Sequence, residues 1–470
     1  MIVILAFTAF VKPAATGYVS EELVFPKVIQ ERIASSEKVV FIKPGIFLNL
    51  EKSHILADQL ILTDSEDDAL VHTIINGTKA EENLYHDKYK GSSLFLHQTG
   101  DAVYLKGMLT PEWQIEPSIT EERSPNNGVA HRVAKIPKAP LYCKQIAAEA
   151  NHIHHNVVTE SRQLPELVTP EVYVISDYRH NQAFTHSDLV AYMAALFNAV
   201  NLRFASISKP SVRLRLVGIQ RGTPETEIYM KKHLGHTLGT ESLLRLRNYV
   251  NYGYVHGNPD MVYLMTGKKI ATLKNGRMST RVSGLAYVGG LCWSTKVAIG
   301  EDIPLSYKGV HIAAHEIAHL LGAVHDGSGP ISYIPGHPGA KKCPWSDGYI
   351  MSYIDSGEKN FRFSVCTNEQ IRILLRNRDE RCIGLSSEQD LTSKSSKLPG
   401  QTISGSTFCE ARYPSWEDVK YRVLPGMEKK CLFHCCGPTD ENGAAVCQQH
   451  PALDGMSCEK EKICKNGICT

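Results

Sequence analysis

The sequence predicts a multidomain protein: a β-rich N-terminal domain, an α/β domain with a mostly parallel sheet, and a small disulfide-rich C-terminal domain. Short apolar runs alternate with polar turns up to about residue 165, and from about residue 168 strand-like and helix-like segments interleave. Eight of the thirteen cysteines lie between Cys409 and Cys469, a density that suits an oxidising compartment. At 470 residues the chain exceeds one ordinary domain. With 43% apolar and 21% charged residues it is globular. A net charge of +2 gives no electrostatic ground for nucleic acid or an anionic membrane surface.

The chain opens on an apolar run, Ile2 to Val11, of signal-peptide length and too short to span a bilayer. Ala15-Thr16-Gly17 offers a cleavage site, so residues 1–17 are expected to be a signal peptide and the product to be secreted without a membrane anchor. Residues 18–165 form the β-rich domain, read from runs such as Val39 to Ile42, Leu60 to Leu62 and Leu94 to Leu96. Asn76-Gly77-Thr78 is a glycosylation sequon. Residues 166–385 carry the α/β rhythm. Glu171 to Ile175 reads as a buried strand, and Ser187 as the cap of a helix whose apolar face runs from Leu189 to Val200. Val212 to Ile219 reads as a strand, Glu241 to Tyr252 as a helix, and Met261 to Met265 as a strand. Residues 386–400 are Ser/Lys-rich and read as a linker to a cysteine-rich domain over 401–470.

The chemistry is concentrated in His315-Glu316-Ile317-Ala318-His319-Leu320-Leu321-Gly322-Ala323-Val324-His325. Residues four apart on a helix differ by about 40° around the axis and about 6 Å along it. His315 and His319 therefore project from one face and can share one Zn2+. A continued helix would point a third ligand away; Gly322 can take the left-handed conformation that ends a helix and returns His325 to the site. Glu316 stands beside the first ligand as general base, taking a proton from the attacking water and passing it to the leaving amine.

The extended HExxHxxGxxH motif, followed by Met351 in Tyr349-Ile350-Met351-Ser352-Tyr353, resembles the metzincin peptidases. Asp326, directly after the third His, resembles the reprolysin/ADAM branch. The resemblance implies a metzincin catalytic domain, a Met-turn at Met351, and a closing disulfide between Cys292 and Cys382. A second disulfide, Cys343–Cys366, is expected to close the loop that carries Met351. Tyr104 to Pro117 is similar to the end of an ADAM prodomain, and Asp454 to Cys458 with Cys464 to Cys469 to the cysteine-rich module of ADAMTS proteases. Taken whole, the chain resembles tick salivary reprolysin-like metalloproteases, which implies extracellular host substrates such as fibrinogen or matrix proteins. No Arg-x-Lys/Arg-Arg processing site precedes the catalytic domain, and no Arg-Gly-Asp occurs.

Cys143 is the one cysteine of the first half, and setting it aside leaves an even number. Its thiolate is a candidate fourth ligand that silences a zymogen, as in family cysteine switches. His152, His154 and His155 read as a solvated linker. Gly284 to Tyr287 is a candidate edge strand for an extended substrate. The rival reading is a haemostasis-inhibiting binding protein that acts through its tail and keeps the metal site as scaffold; Glu316 argues against it, because a scaffold needs ligands but no base. Oligomeric state and a structural Ca2+ stay open.

Overall fold

A computed structural model describes residues 22–32, 37–44, 46–66, 69–118, 128–138, 143–146, 163–379, 382, 404–413, 416, 418–439, 445–452, 455–465 and 468–469. The signal segment, the histidines at 152–155 and the linker at 386–400 lie outside them.

The N-terminal part folds as a nine-stranded antiparallel sheet built from strands between Glu22 and Lys135. Alternate residues of these strands, among them Val40, Leu48, Leu50, Leu94, Leu105 and Val133, meet in one apolar cluster, the period of two that the sequence displays.

The second sheet has eight strands, ordered Cys143–Ile146, Gly284–Tyr287, Val297–Glu301, Met261–Thr266, Glu171–Ser176, Arg215–Arg221, Leu56–Glu66 and Ala69–Asn76. From Val297–Glu301 to Leu56–Glu66 neighbouring strands run parallel, while Gly284–Tyr287 is antiparallel to Val297–Glu301. Glu171–Ser176 is buried throughout because both faces are covered. Val172 and Val174 enter the cluster around the helix His186–Phe204; Tyr173 and Ile175 enter the one around Gly239–Asn251. Strands that precede residue 165 thus occupy both edges of the sheet.

Two local readings are corrected. The long helix is capped by Thr185, not Ser187: the Thr185 hydroxyl accepts from Asp188 N at 3.2 Å and donates to the Asp188 carboxylate at 2.7 Å, a reciprocal cap two residues earlier. The strand expected over Val212 to Ile219 is divided between Ser211–Val212 and Arg215–Arg221. Between them Asn201 brackets Leu214, taking its N–H at 2.7 Å and donating to its carbonyl at 3.0 Å, which removes both groups from the ladder.

The long helix ties the two parts together. Asn198 Nδ2 donates to Ser93 Oγ at 2.9 Å, and Ser93 Oγ donates to Ala195 O at 2.7 Å. Leu84, Met108 and Ile136 join the same apolar cluster as Phe197, Ile317 and Met351. The cysteine-rich tail holds a short helix, Gly405–Arg412, and two small three-stranded sheets. Four disulfides fix it: Cys409–Cys435, Cys431–Cys464, Cys436–Cys447 and Cys458–Cys469. Among the described residues no helix is long and apolar enough to cross a membrane.

Candidate metal centre

The helix Gly309–Leu320 is buried nearly all round and lies between the eight-stranded sheet and the long helix. Lys308 at its start offers no side-chain cap. Asp302 does that work from the preceding strand end. Its Oδ1 accepts Gly309 N at 2.7 Å, and its Oδ2 accepts from His180 Nε2 at 2.9 Å and Tyr192 OH at 2.7 Å. No spacing in the sequence marks Asp302, because its partners lie far apart along the chain.

The helix ends where the motif requires. Gly322 N donates to His319 O at 2.8 Å and Ala323 N to Ala318 O at 2.9 Å, with Gly322 at φ +93°. That left-handed residue turns the chain back over the helix end, and Gln370 holds the return by accepting Val324 N at 2.8 Å. His325 then meets the other two histidines. Its Nε2 lies 3.1 Å from His315 Nε2 and 3.2 Å from His319 Nε2. Tetrahedral ligands at about 2.0–2.1 Å from zinc stand roughly 3.3 Å apart, so this spacing fits one zinc ion.

The Nδ1 atoms of His315 and His319 are committed elsewhere. His315 Nδ1 is 2.8 Å from Ile350 O, and His319 Nδ1 is 2.7 Å from Ala323 O. A carbonyl only accepts, so each Nδ1 carries the proton and each Nε2 keeps its lone pair for the metal. Burial supports the same state: it lowers the pKa of His315 to about 4, of His325 to about 3, and of His319 well below its usual value. The three rings are neutral ligands at neutral pH.

Met351 is fully buried, and its segment braces the ligands through its backbone. Ile350 O receives His315 Nδ1, and Met351 O accepts Asp326 N at 3.0 Å. Asp326 in turn accepts Ser364 Oγ at 2.7 Å; desolvation raises its pKa to about 6. Tyr353, which the sequence reading passed over as a ligand neighbour, has its hydroxyl 3.1 Å from His325 Nε2. Disulfides join Cys343 to Cys366, on either side of this segment, and Cys292 to Cys382.

Glu316 is completely buried beside His315. Its carboxylate rests against the backbone of Gly284: a Cβ there would stand 2.4 Å from Glu316 Oε1. Across the ladder from Gly284 is Cys143, whose strand Cys143–Ile146 runs parallel to Gly284–Tyr287. The edge expected to receive substrate is therefore covered by the chain's own N-terminal part; the side chain of Cys143 lies outside the described residues. Asn76 is exposed and caps a short turn, accepting Lys79 N at 2.8 Å. Cys431, Cys458 and Cys464 also converge, within 4.8 Å, but their sulfurs belong to two crossing disulfides and offer no metal ligands.

The profile of the family described as Metallo-peptidase family M12 (Reprolysin_5) matches residues 169–364. The chain is 30% identical over 345 residues to "A disintegrin and metalloproteinase with thrombospondin motifs like" of Bombyx mori, covering 70% of this chain and 47% of that protein. This chain thus spans about half the length of the silkworm relative. It is 24% identical to "Venom metalloproteinase antarease TserMP_A" of Tityus serrulatus, over 77% of this chain and 93% of the venom protein. Among solved structures, metalloproteinase-II from Bacteroides fragilis matches with a TM-score of 0.36 and 12% identity, covering 70% of this chain and 87% of that one.

Proposed function

We propose, from the premise that residues 169–364 belong to the M12 reprolysin family and form a zinc metalloendopeptidase domain, that this chain is a secreted endopeptidase of extracellular host proteins. The observation that carries the proposal is the convergence of three imidazole Nε2 atoms beside a buried glutamate. Six disulfides and venom relatives support an extracellular setting. Fibrinogen and matrix proteins are the substrates suggested by the resemblance to salivary enzymes.

When bound, zinc supplies a Lewis acid that activates water and stabilises charge on the scissile carbonyl oxygen. His315, His319 and His325 hold it through Nε2, in tautomers set by Ile350 O and Ala323 O. Glu316 takes the proton of the attacking water on a carboxylate oxygen and delivers it to the amine nitrogen as the peptide bond breaks. Gly284–Tyr287 supplies backbone groups to pair with an extended substrate. Residues 18–165 act as a prodomain that covers this edge, and Cys143, level with Gly284, supplies the thiolate that keeps the precursor silent. Residues 386–400 link the catalytic domain to a docking domain over 401–470, and Asn76 carries a glycan.

The test is incubation of the secreted protein with plasma and matrix proteins, with and without a chelator. Cleavage that stops on chelation and returns with zinc is expected. Binding to those proteins without any chelator-sensitive cleavage would favour the non-catalytic inhibitor instead.

A further inference from the structure

A cavity of about 390 Å3 lies against the entry to the zinc helix. On the catalytic side it is lined by Arg203, Val310, His311, Tyr353, Asn360 and Phe361; residues between Met108 and Lys138 close the other side. It adjoins the metal centre. His311 is one helical turn before His315, and the Tyr353 hydroxyl is 3.1 Å from His325 Nε2.

Its inner end carries the guanidinium of Arg203. Arg203 is only 4% exposed. Phe361 covers one face of its guanidinium, 4.8 Å from the ring centre, and Nε has no hydrogen-bond partner among the described residues. Burial pushes its pKa down to about 10. His311 Nε2 and the side-chain carbonyl of Asn360 are also buried without a partner among the described residues. The two acidic residues of the lining, Glu112 and Asp355, are both engaged by Lys138. A desolvated guanidinium with an unpartnered Nε is costly, and a carboxylate is the group that matches it in charge and geometry.

We propose that Arg203 and His311 make this cavity a carboxylate-selective subsite, which receives the Glu or Asp side chain of a substrate residue flanking the scissile bond. This rests on the reading that residues 18–165 cover the site and withdraw from it in the active enzyme. Apolar walls take the methylenes of such a side chain, and Arg203 takes its charge at the far end.

The test uses the secreted protein after processing has released residues 18–165, and fluorogenic peptides that carry Glu, Gln or Leu at each position flanking the cleaved bond. Glu and Gln share a shape, so their ratio isolates charge. At one flanking position kcat/KM for Glu is expected to exceed that for Gln by about tenfold or more. Arg203→Met should bring this ratio close to one, and Arg203→Lys should restore part of it. A merely structural role would lower all peptides together and leave the ratio unmoved. A Glu to Gln ratio near one in the wild type overturns the subsite. If the processed protein cleaves no peptide, the peptidase reading itself fails. In that event a melting shift of the processed Glu316→Ala protein with N-acetylglutamate amide, absent with N-acetylglutamine amide and in the Arg203→Met background, still supports a carboxylate site. Equal shifts with both amides, or none, overturn it.

Discussion

At Gly284 the backbone of the strand next to the sheet's edge touches the Glu316 carboxylate, leaving no room for a methyl group between strand and helix. Gly284→Ala should therefore move Glu316 while leaving the histidines in place. We expect zinc content to be retained and kcat/KM to fall by roughly ten- to a hundredfold, as for a small misplacement of a catalytic group. Unchanged kinetics would show that the carboxylate reaches its position by another route. Glu316→Ala should keep stoichiometric zinc and lose activity by roughly 10²–10⁴-fold, since proton transfer goes while the three imidazoles remain. His319→Ala should lose the metal itself. Elemental analysis on the same preparations as the peptide assay separates these outcomes. The histidines and Glu316 were legible from spacing alone, because one helix turn and one glycine bring them together. Gly284, Asp302 and Tyr353 were not, because contacts made across the fold leave no local pattern.

Among the elements, the N-terminal sheet carries its own acid sensitivity. His131 is fully buried; its Nε2 accepts Leu105 N at 2.9 Å while Nδ1 donates to Val129 O at 2.9 Å. Both roles need the neutral ring, and burial lowers its pKa. The unfolded chain thus binds a proton more readily than the folded one. Stability from this residue is complete above about pH 6.5 and is lost as the pH falls towards its lower folded value. Urea unfolding followed by a probe in this sheet should show that slope below pH 6.5, flattened in His131→Gln. An equal slope in both would assign the sensitivity to other groups. The β character of this sheet was readable from alternation. The cap at Thr185 and the break at Leu214 were not, since Thr185 and Ser187 are chemically alike as caps and the break depends on how the Asn201 side chain of the preceding helix folds back onto the strand.

At the scale of the whole molecule, the N-terminal part holds the α/β sheet by both edges. Leu56–Glu66 lies beside Arg215–Arg221, and Cys143–Ile146 lies beside the strand that touches Glu316. If Cys143 silences the precursor, Cys143→Ala should let the unprocessed chain cleave a small peptide. A mutant as silent as wild type would mean that covering the edge is sufficient. The tail makes a separate case. Its core is small, a few apolar residues around Cys409, Phe433 and Cys435, so four disulfides hold a largely exposed surface. A rigid surface outside the cleft can add affinity for a large substrate that a short peptide does not use. Truncation after Gly400 should leave peptide cleavage nearly unchanged and lower fibrinogen cleavage about tenfold, the effect of losing ~1.4 kcal/mol of binding. Equal losses on both substrates would make the tail a structural cap.

The sequence by itself determined the metal, its three ligands, the neighbouring carboxylate and the succession of β-rich, α/β and cysteine-dense regions. Each of these is written in intervals of a few residues, where helix pitch, strand pleat or a single left-handed glycine converts spacing into geometry. Only the tertiary structure decided that strands from the first 165 residues complete the eight-stranded sheet, that Asp302 caps the zinc helix, and that Arg203 lies buried beside it. Arg203 and His311 are 108 residues apart, and Cys143 and Gly284 are 141 apart. Contacts over such separations are selected by the packing of whole elements, whose common core no local periodicity encodes.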